Sequence, residues 1–158
     1  MELFLIRHAI TVARDPTVPE AQLPLSPRGR KRFEQVTLGL QYLGVSLDRL
    51  YYSPWQSAVE TAELLLPLLD GEPIPIPALS RTPPDQALLN EIKGNRVALV
   101  GHEPWLGALL LWLTTGFQIA SSAFLLKQGG VAWLEGQLDP GHMILRAFLP
   151  PKVPRSLA

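Results

Sequence analysis

No cysteine occurs among the 158 residues. That excludes a disulfide framework, a thiolate metal site and any enzyme whose nucleophile is a thiolate. Charge of one sign is also missing. Lys and Arg together number 14, as do Asp and Glu, so the formal net charge is zero. The chain thus has no basic footprint for nucleic acid and no polybasic membrane patch, and neither partner is expected. Long apolar runs are absent as well. The longest apolar helix candidate, Trp105 to Leu113, is about half the ~20 residues that span a bilayer. Met1-Glu2 lacks the basic start of a secretory leader, so a cytoplasmic protein is expected. The three histidines are scattered without ligand-like spacing and no Walker-type loop occurs, so neither metal nor cofactor is expected.

What is present is a globular composition, 47% hydrophobic and 18% charged, in which strand signals alternate with helix signals. Glu2 to Ile6 reads as a buried strand. After a Pro-bearing loop, Ser26-Pro27 predicts a helix start, with Phe33, Val36, Leu40 and Leu43 at a 3.6-residue period and Gly44 past the end. Leu50 to Tyr52 reads as a strand and Trp55 to Leu69 as a helix. Pro73 to Leu79 is expected to be extended and at a sheet edge, because Pro cannot donate to a ladder. Pro84 to Ile92 suggests a short helix, Val97 to Val100 a buried parallel strand, and Trp105 to Thr114 a helix apolar on most faces, with Trp105 and Trp112 read as core. Two strands, Gly130 to Gly136 and Met143 to Leu149, flank the turn Asp139-Pro140-Gly141. The alternation predicts a three-layer α/β/α sandwich around a mostly parallel sheet. It forms one domain over 1–149, followed by a loose Pro-rich tail over 150–158.

Three polar clusters fall at the carboxyl ends of candidate strands: Arg7-His8, Ser53-Pro54 and Gly101-His102. Such ends gather in space in an open α/β sheet, and ligands bind there. Arg7 offers a planar fork of donors suited to a phosphoryl group. His8, with a reference pKa near ~6.5, is largely neutral and nucleophilic at pH 7. Glu103-Pro104 opens a helix whose N–H groups favour an anion, and Gly101 admits an unusual backbone angle or a close ligand approach. Ser53 suits a helix N-cap better than a phosphate contact, and Trp55 suits the pocket rim or the core equally. His142, beside a turn, and the basic run Arg28 to Arg32 read as solvated.

These residues resemble the histidine phosphatase superfamily, which has the phosphoglycerate mutase-like fold. Leu5-Ile6-Arg7-His8-Ala9, Leu25-Ser26-Pro27-Arg28-Gly29, Tyr52-Ser53-Pro54 with Glu60-Thr61-Ala62, and Val100-Gly101-His102-Glu103-Pro104 match its motifs in order. The short length and the segment from Phe124 to Gly130 resemble the SixA-type phosphohistidine phosphatases. The resemblance implies that His8 attacks phosphorus and forms a phosphohistidine, which water hydrolyses. Arg7 and His102 clamp the oxygens, and Ser53, Ser57, Gly101 and Glu103 line the substrate site.

One position departs from that pattern. The family carries a second Arg four residues after the Ser of Ser-Pro, where this chain has Ser57. A missing preorganised donor costs roughly 10²–10³ in rate. Arg14, Arg28 and Lys127 are the candidates to replace its charge, and Asp15, Glu20 and Glu103 the candidates to protonate a leaving group. The expected substrate is a phosphohistidine-bearing protein or a small phosphorylated molecule. The alternatives are a small-molecule phosphomonoesterase and a weakly catalytic phosphate- or phosphoprotein-binding module.

Overall fold

The computed structural model describes every residue except Thr82, and every side chain except those of Arg81 and Thr82. Six strands form one sheet in the order β3-β2-β4-β1-β5-β6. The first four, β1 (Glu2–Arg7), β2 (Arg49–Tyr52), β3 (Ile74–Pro75) and β4 (Arg96–Gly101), run parallel. The last two, β5 (Val131–Gly136) and β6 (Met143–Leu149), are antiparallel.

Alternation along β1 and β4 builds the three layers. Leu3, Leu5, Val97 and Leu99 face a core shared with Leu88, Leu89, Leu109 and Leu110 of the helices α4 (Gln86–Glu91) and α5 (Trp105–Thr115). Phe4, Ile6, Ala98 and Val100 face the opposite core, with Phe33, Val36 and Leu40 of α1 (Pro27–Tyr42) and Ala58 and Ala62 of α2 (Gln56–Leu64). Burial on both faces is why these strands read as unbroken apolar runs. Ser26 caps α1 as expected, its hydroxyl accepting from the Gly29 N–H at 2.9 Å.

Three segments depart from expectation. The helix expected through Leu69 stops at Leu64, because Pro67 cannot continue it, and a 3-10 turn follows over Leu66–Leu68. The extended stretch expected to Leu79 shortens to β3, at the sheet edge where its Pro belongs, and the helix α3 (Ala78–Arg81) begins instead. The tail is not loose where it forms α6 (Lys152–Arg155) against α1. Gly39 makes room for it: a Cβ there would lie 1.8 Å from the Pro154 carbonyl oxygen. No helix among the described residues is long and apolar enough to cross a membrane.

Register sets the functional edge. Arg7 pairs with Gly101 and Tyr52 with Val100. The residues that follow, His8, His102 and Ser53, therefore leave the sheet at one level. His8 N–H donates to the Gly101 carbonyl at 3.1 Å and Ser53 N–H to that of Val100 at 3.0 Å.

Candidate active site

The two imidazoles, 94 positions apart, meet at this edge with ring centroids 5.1 Å apart. Both line a cavity of about 550 Å³ with Arg7, Glu20, Trp55, Ser80, Glu103 and Trp105. A side pocket of about 80 Å³ shares Arg7, His8, Glu20 and Trp55 and adds Thr11, Leu23, Ser57 and Gln128.

His8 is buried, and its Nδ1 lies 2.8 Å from the Ala9 carbonyl oxygen. A carbonyl only accepts, so Nδ1 carries the proton and Nε2 keeps its lone pair. Burial lowers the His8 pKa, the Ala9 bond opposes this, and Arg7 adds to it. The ring is thus a neutral nucleophile at pH 7. The Ala9 N–H is held in turn by the Thr61 hydroxyl at 3.0 Å, and the far end of the loop is held by Glu60, which accepts from the Leu25 N–H at 3.0 Å. Together these bonds account for the Glu60-Thr61 pair in the sequence. Glu60 also binds Arg30, so that member of the basic run is paired and not merely solvated.

His102 stacks obliquely on Trp55, centroids 4.5 Å apart, and its Nε2 lies 2.8 Å from the Ser53 hydroxyl. That hydroxyl is fully buried and already accepts from the Trp55 N–H at 3.2 Å. Its own proton goes to Nε2, which leaves Nδ1–H on the ring. Burial, then His8, then Arg7 push the His102 pKa down to about 3. Ser53 is therefore not the cap of α2, whose N-cap is Trp55, and it reaches the cavity only through His102.

Arg7 donates from Nη1 to the Leu126 carbonyl at 2.8 Å, while its Nε is buried without a partner among the described residues. The Arg7 guanidinium lines the cavity wall, and a guanidinium there suits an oxyanion. Glu103 works behind it. Its two oxygens accept from the Gly107 N–H at 2.8 Å and the Leu126 N–H at 3.1 Å. Leu126 therefore links Glu103 to Arg7. Burial raises the Glu103 pKa, while those two N–H groups and Arg7 pull it back.

Gly101 does not serve as expected. Its backbone lies outside the left-handed region, and a Cβ would meet Leu106 at an ordinary 3.4 Å. Ser57 is buried and lines the side pocket. Arg14, Arg28 and Lys127 line neither cavity. Asp15 spends its carboxylate on Thr17, and His142 is exposed with its ring on the Pro140 carbonyl. Trp105, read as core, is half-buried and lines the cavity, while Trp112 is buried. Thr11, Gln128 and the Leu126 carbonyl had no motif to mark them. The sequence signal nearest to them was the segment from Phe124 to Gly130.

Residues 3–80 match the model of the histidine phosphatase superfamily (branch 1). A protein of Picosynechococcus sp., itself uncharacterised, is 31% identical over 114 residues, covering 68% of this chain and 69% of that one. This chain belongs to the histidine phosphatase superfamily. Its fold is phosphoglycerate mutase-like. It superposes on the protein histidine phosphatase SixA complexed with tungstate, with TM-score 0.77, 21% identity and 96% and 98% of the two chains covered. A phosphoserine phosphatase of Entamoeba histolytica in complex with 3-phosphoglyceric acid gives 0.71, 19%, 94% and 96%. The alpha-ribazole phosphatase of Shigella flexneri gives 0.72, 19%, 96% and 97%.

Proposed function

We propose that this chain is a cytoplasmic, metal-independent phosphatase that hydrolyses phosphohistidine, or a similar phosphoramidate, through a covalent phosphohistidine on His8. The catalytic domain spans 1–149, with 150–158 as an appended tail. The observation that carries the reading is the meeting of two neutral imidazoles and one guanidinium at a single cavity. His8 Nε2 attacks phosphorus in line, so no metal-activated water is needed for that step. Arg7 and the Nδ1–H of His102 stabilise the oxygens on which charge sits in a loose transition state. Glu103 fixes Arg7 through Leu126, and Ser53 fixes the His102 tautomer. Water then releases phosphate from His8.

Purified protein is expected to free phosphate from a phosphohistidine peptide, and samples quenched in alkaline detergent should carry an acid-labile, alkali-stable phosphoenzyme. His8→Ala should lose both. A mutant that keeps full turnover overturns the mechanism.

Ser57 favours one second reading, a binding module with weak catalysis. The side pocket at that position holds a hydroxyl where the family holds a cation, and a hydroxyl donates one hydrogen bond without charge. That reading expects vanadate or phosphate to bind by calorimetry while turnover of a substrate panel stays at background.

A further inference from the structure

Two carboxylates line the main cavity, and they are not equivalent. Both oxygens of Glu103 are taken by backbone N–H groups. Glu20 has an ion pair with Arg14 at 3.7 Å, between side chains more than half exposed. Such a pair is weak and easily exchanged. The backbone beneath Glu20 is nevertheless fixed. It lies on a 3-10 turn over Glu20–Gln22, closed by Gln22 N–H to the Pro19 carbonyl at 2.9 Å and by Leu23 N–H to that of Glu20 at 3.2 Å. Leu23 is buried beneath it. Glu20 reaches both the main cavity and the side pocket, as do Arg7 and His8.

The charge balance of the lining points the same way. Among the described side chains that line the cavity, Arg7 is the one cation, Glu20 and Glu103 are anions and both imidazoles are neutral, while Arg14 pairs with Glu20 from outside the lining. The described lining therefore carries one net negative charge. A phosphate ester brings a dianion into it, and like charges at this range repel. A substrate whose phosphoryl group sits on one nitrogen of a ring that is protonated at the other offsets that repulsion.

We infer that Glu20 is the specificity-determining residue of this site. Its carboxylate receives the leaving group and selects phosphoryl donors that depart from a protonated nitrogen heterocycle over phosphate esters. The inference rests on the phosphatase reading above. For a phosphoryl group on an imidazole nitrogen, the other ring nitrogen carries the proton and donates to Glu20. The His8 Nε2 lone pair forms the new P–N bond. The old P–N bond breaks, and its electrons return to the leaving nitrogen. The leaving ring departs as neutral imidazole with its N–H intact, so no proton moves in this step. Phosphorylated His8 is then in the same position, with its Nδ1–H on the Ala9 carbonyl. Water attacks phosphorus, the P–Nε2 electrons return to His8, and the proton lost by water ends on phosphate.

The test compares kcat/KM for phosphoimidazole and for p-nitrophenyl phosphate in the wild type, Glu20→Gln and Glu20→Lys. Loss of a charge-assisted hydrogen bond should lower the phosphoimidazole value about tenfold or more in Glu20→Gln. The p-nitrophenyl phosphate value should rise, because its dianion no longer meets a carboxylate. Glu20→Lys should move both values further the same way. Equal losses on the two substrates, or no loss on phosphoimidazole, overturn the role of Glu20 while leaving the phosphatase intact. A wild type that turns over neither substrate overturns the phosphatase reading, and the inference with it.

Discussion

The cavity has two walls of different construction. One is built from the ends of β1 and β4: Arg7, His8, His102 and Glu103. There, Ala9 holds His8, Ser53 holds His102, Leu126 holds Arg7, and Gly107 and Leu126 hold Glu103. The other is built from the loop after His8 and the start of α2: Thr11, Glu20, Leu23, Trp55 and Ser57. Its backbone is pinned by Thr61 and Glu60, but the Ser57 hydroxyl faces the side pocket and Glu20 has only an exposed ion pair with Arg14. Chemistry sits on the wall whose side chains are fixed by the sheet. On the proposed reading, selectivity and rate are set by the wall whose side chains the sheet does not fix. A site held this way can lose a cation at one position without losing its nucleophile.

The largest effect is expected from breaking the fixed wall. His102→Asn removes a preorganised donor and should lower kcat by roughly 10²–10³, with KM changed much less. The same variant should still become phosphorylated on His8, slowly, because the nucleophile and its Ala9 bond remain. Rapid-quench measurement of the phosphoenzyme checks this. A kcat within a few-fold of the wild type would mean that His102 is only a packing partner of Trp55.

The two walls also differ in how far the sequence revealed them. The fixed wall was legible in kind. β1 and β4 announce themselves as short apolar runs, and a polar pair after each points to the ligand edge of an α/β sheet. What stayed hidden there were the supporting bonds. Ser53 looked like a cap, yet the chain turns so that its hydroxyl meets a ring 49 positions away. Glu103 looked like a ligand-facing acid, yet its carboxylate closes the start of α5 and anchors Leu126. The bonds from Ser53 to His102 and from Leu126 to Glu103 leave no periodic trace, because each joins segments distant in sequence. Trp105 was misread for a related reason. Periodicity reports which face of a helix is apolar, and the first residue of α5 lies at the rim, where that face ends. In the open wall, Ser57 was visible as a departure, whereas the freedom of Glu20 emerged only once Glu103 was seen to be occupied. The tail was misread from composition. Its prolines suggested disorder, but the gap opened by Gly39 gives α6 a place to dock.

A smaller effect is expected from titrating the fixed wall. His102 is buried neutral, with its pKa pushed down to about 3, and in the unfolded chain it returns to ~6.5. The folded state therefore resists a proton that the unfolded state accepts. His102 adds no pH dependence above ~6.5, and its resistance costs stability as the pH falls from there towards about 3. The slope is at most ~1.4 kcal/mol per pH unit, reduced by the water that fills the neighbouring cavity. Urea unfolding between pH 7 and 4 should show this slope in the wild type and a shallower one in His102→Asn. Identical slopes would remove His102 as its source. Because burial also lowers the His8 pKa, the acid limb of kcat/KM is expected below ~6.5.

The smallest effect should come from restoring charge to the open wall. Ser57→Arg places a guanidinium in the side pocket beside Arg7, His8 and Glu20. A second cation there adds a contact to the transferring phosphoryl group, so turnover should rise. The gain should be about tenfold and stay below the 10²–10³ that such a donor is worth in a site arranged around it. Glu20 is the reason for the shortfall. Its carboxylate shares the side pocket and competes with phosphate for the new charge, so adding Glu20→Gln to Ser57→Arg should release more of the gain for ester substrates. The double mutant therefore reads the coupling between the two open residues, and strictly additive effects would mean that they act on substrate independently. A fall in turnover from Ser57→Arg alone would mean that the site is already cationic at that position and that the contrast between the two walls fails at the open side.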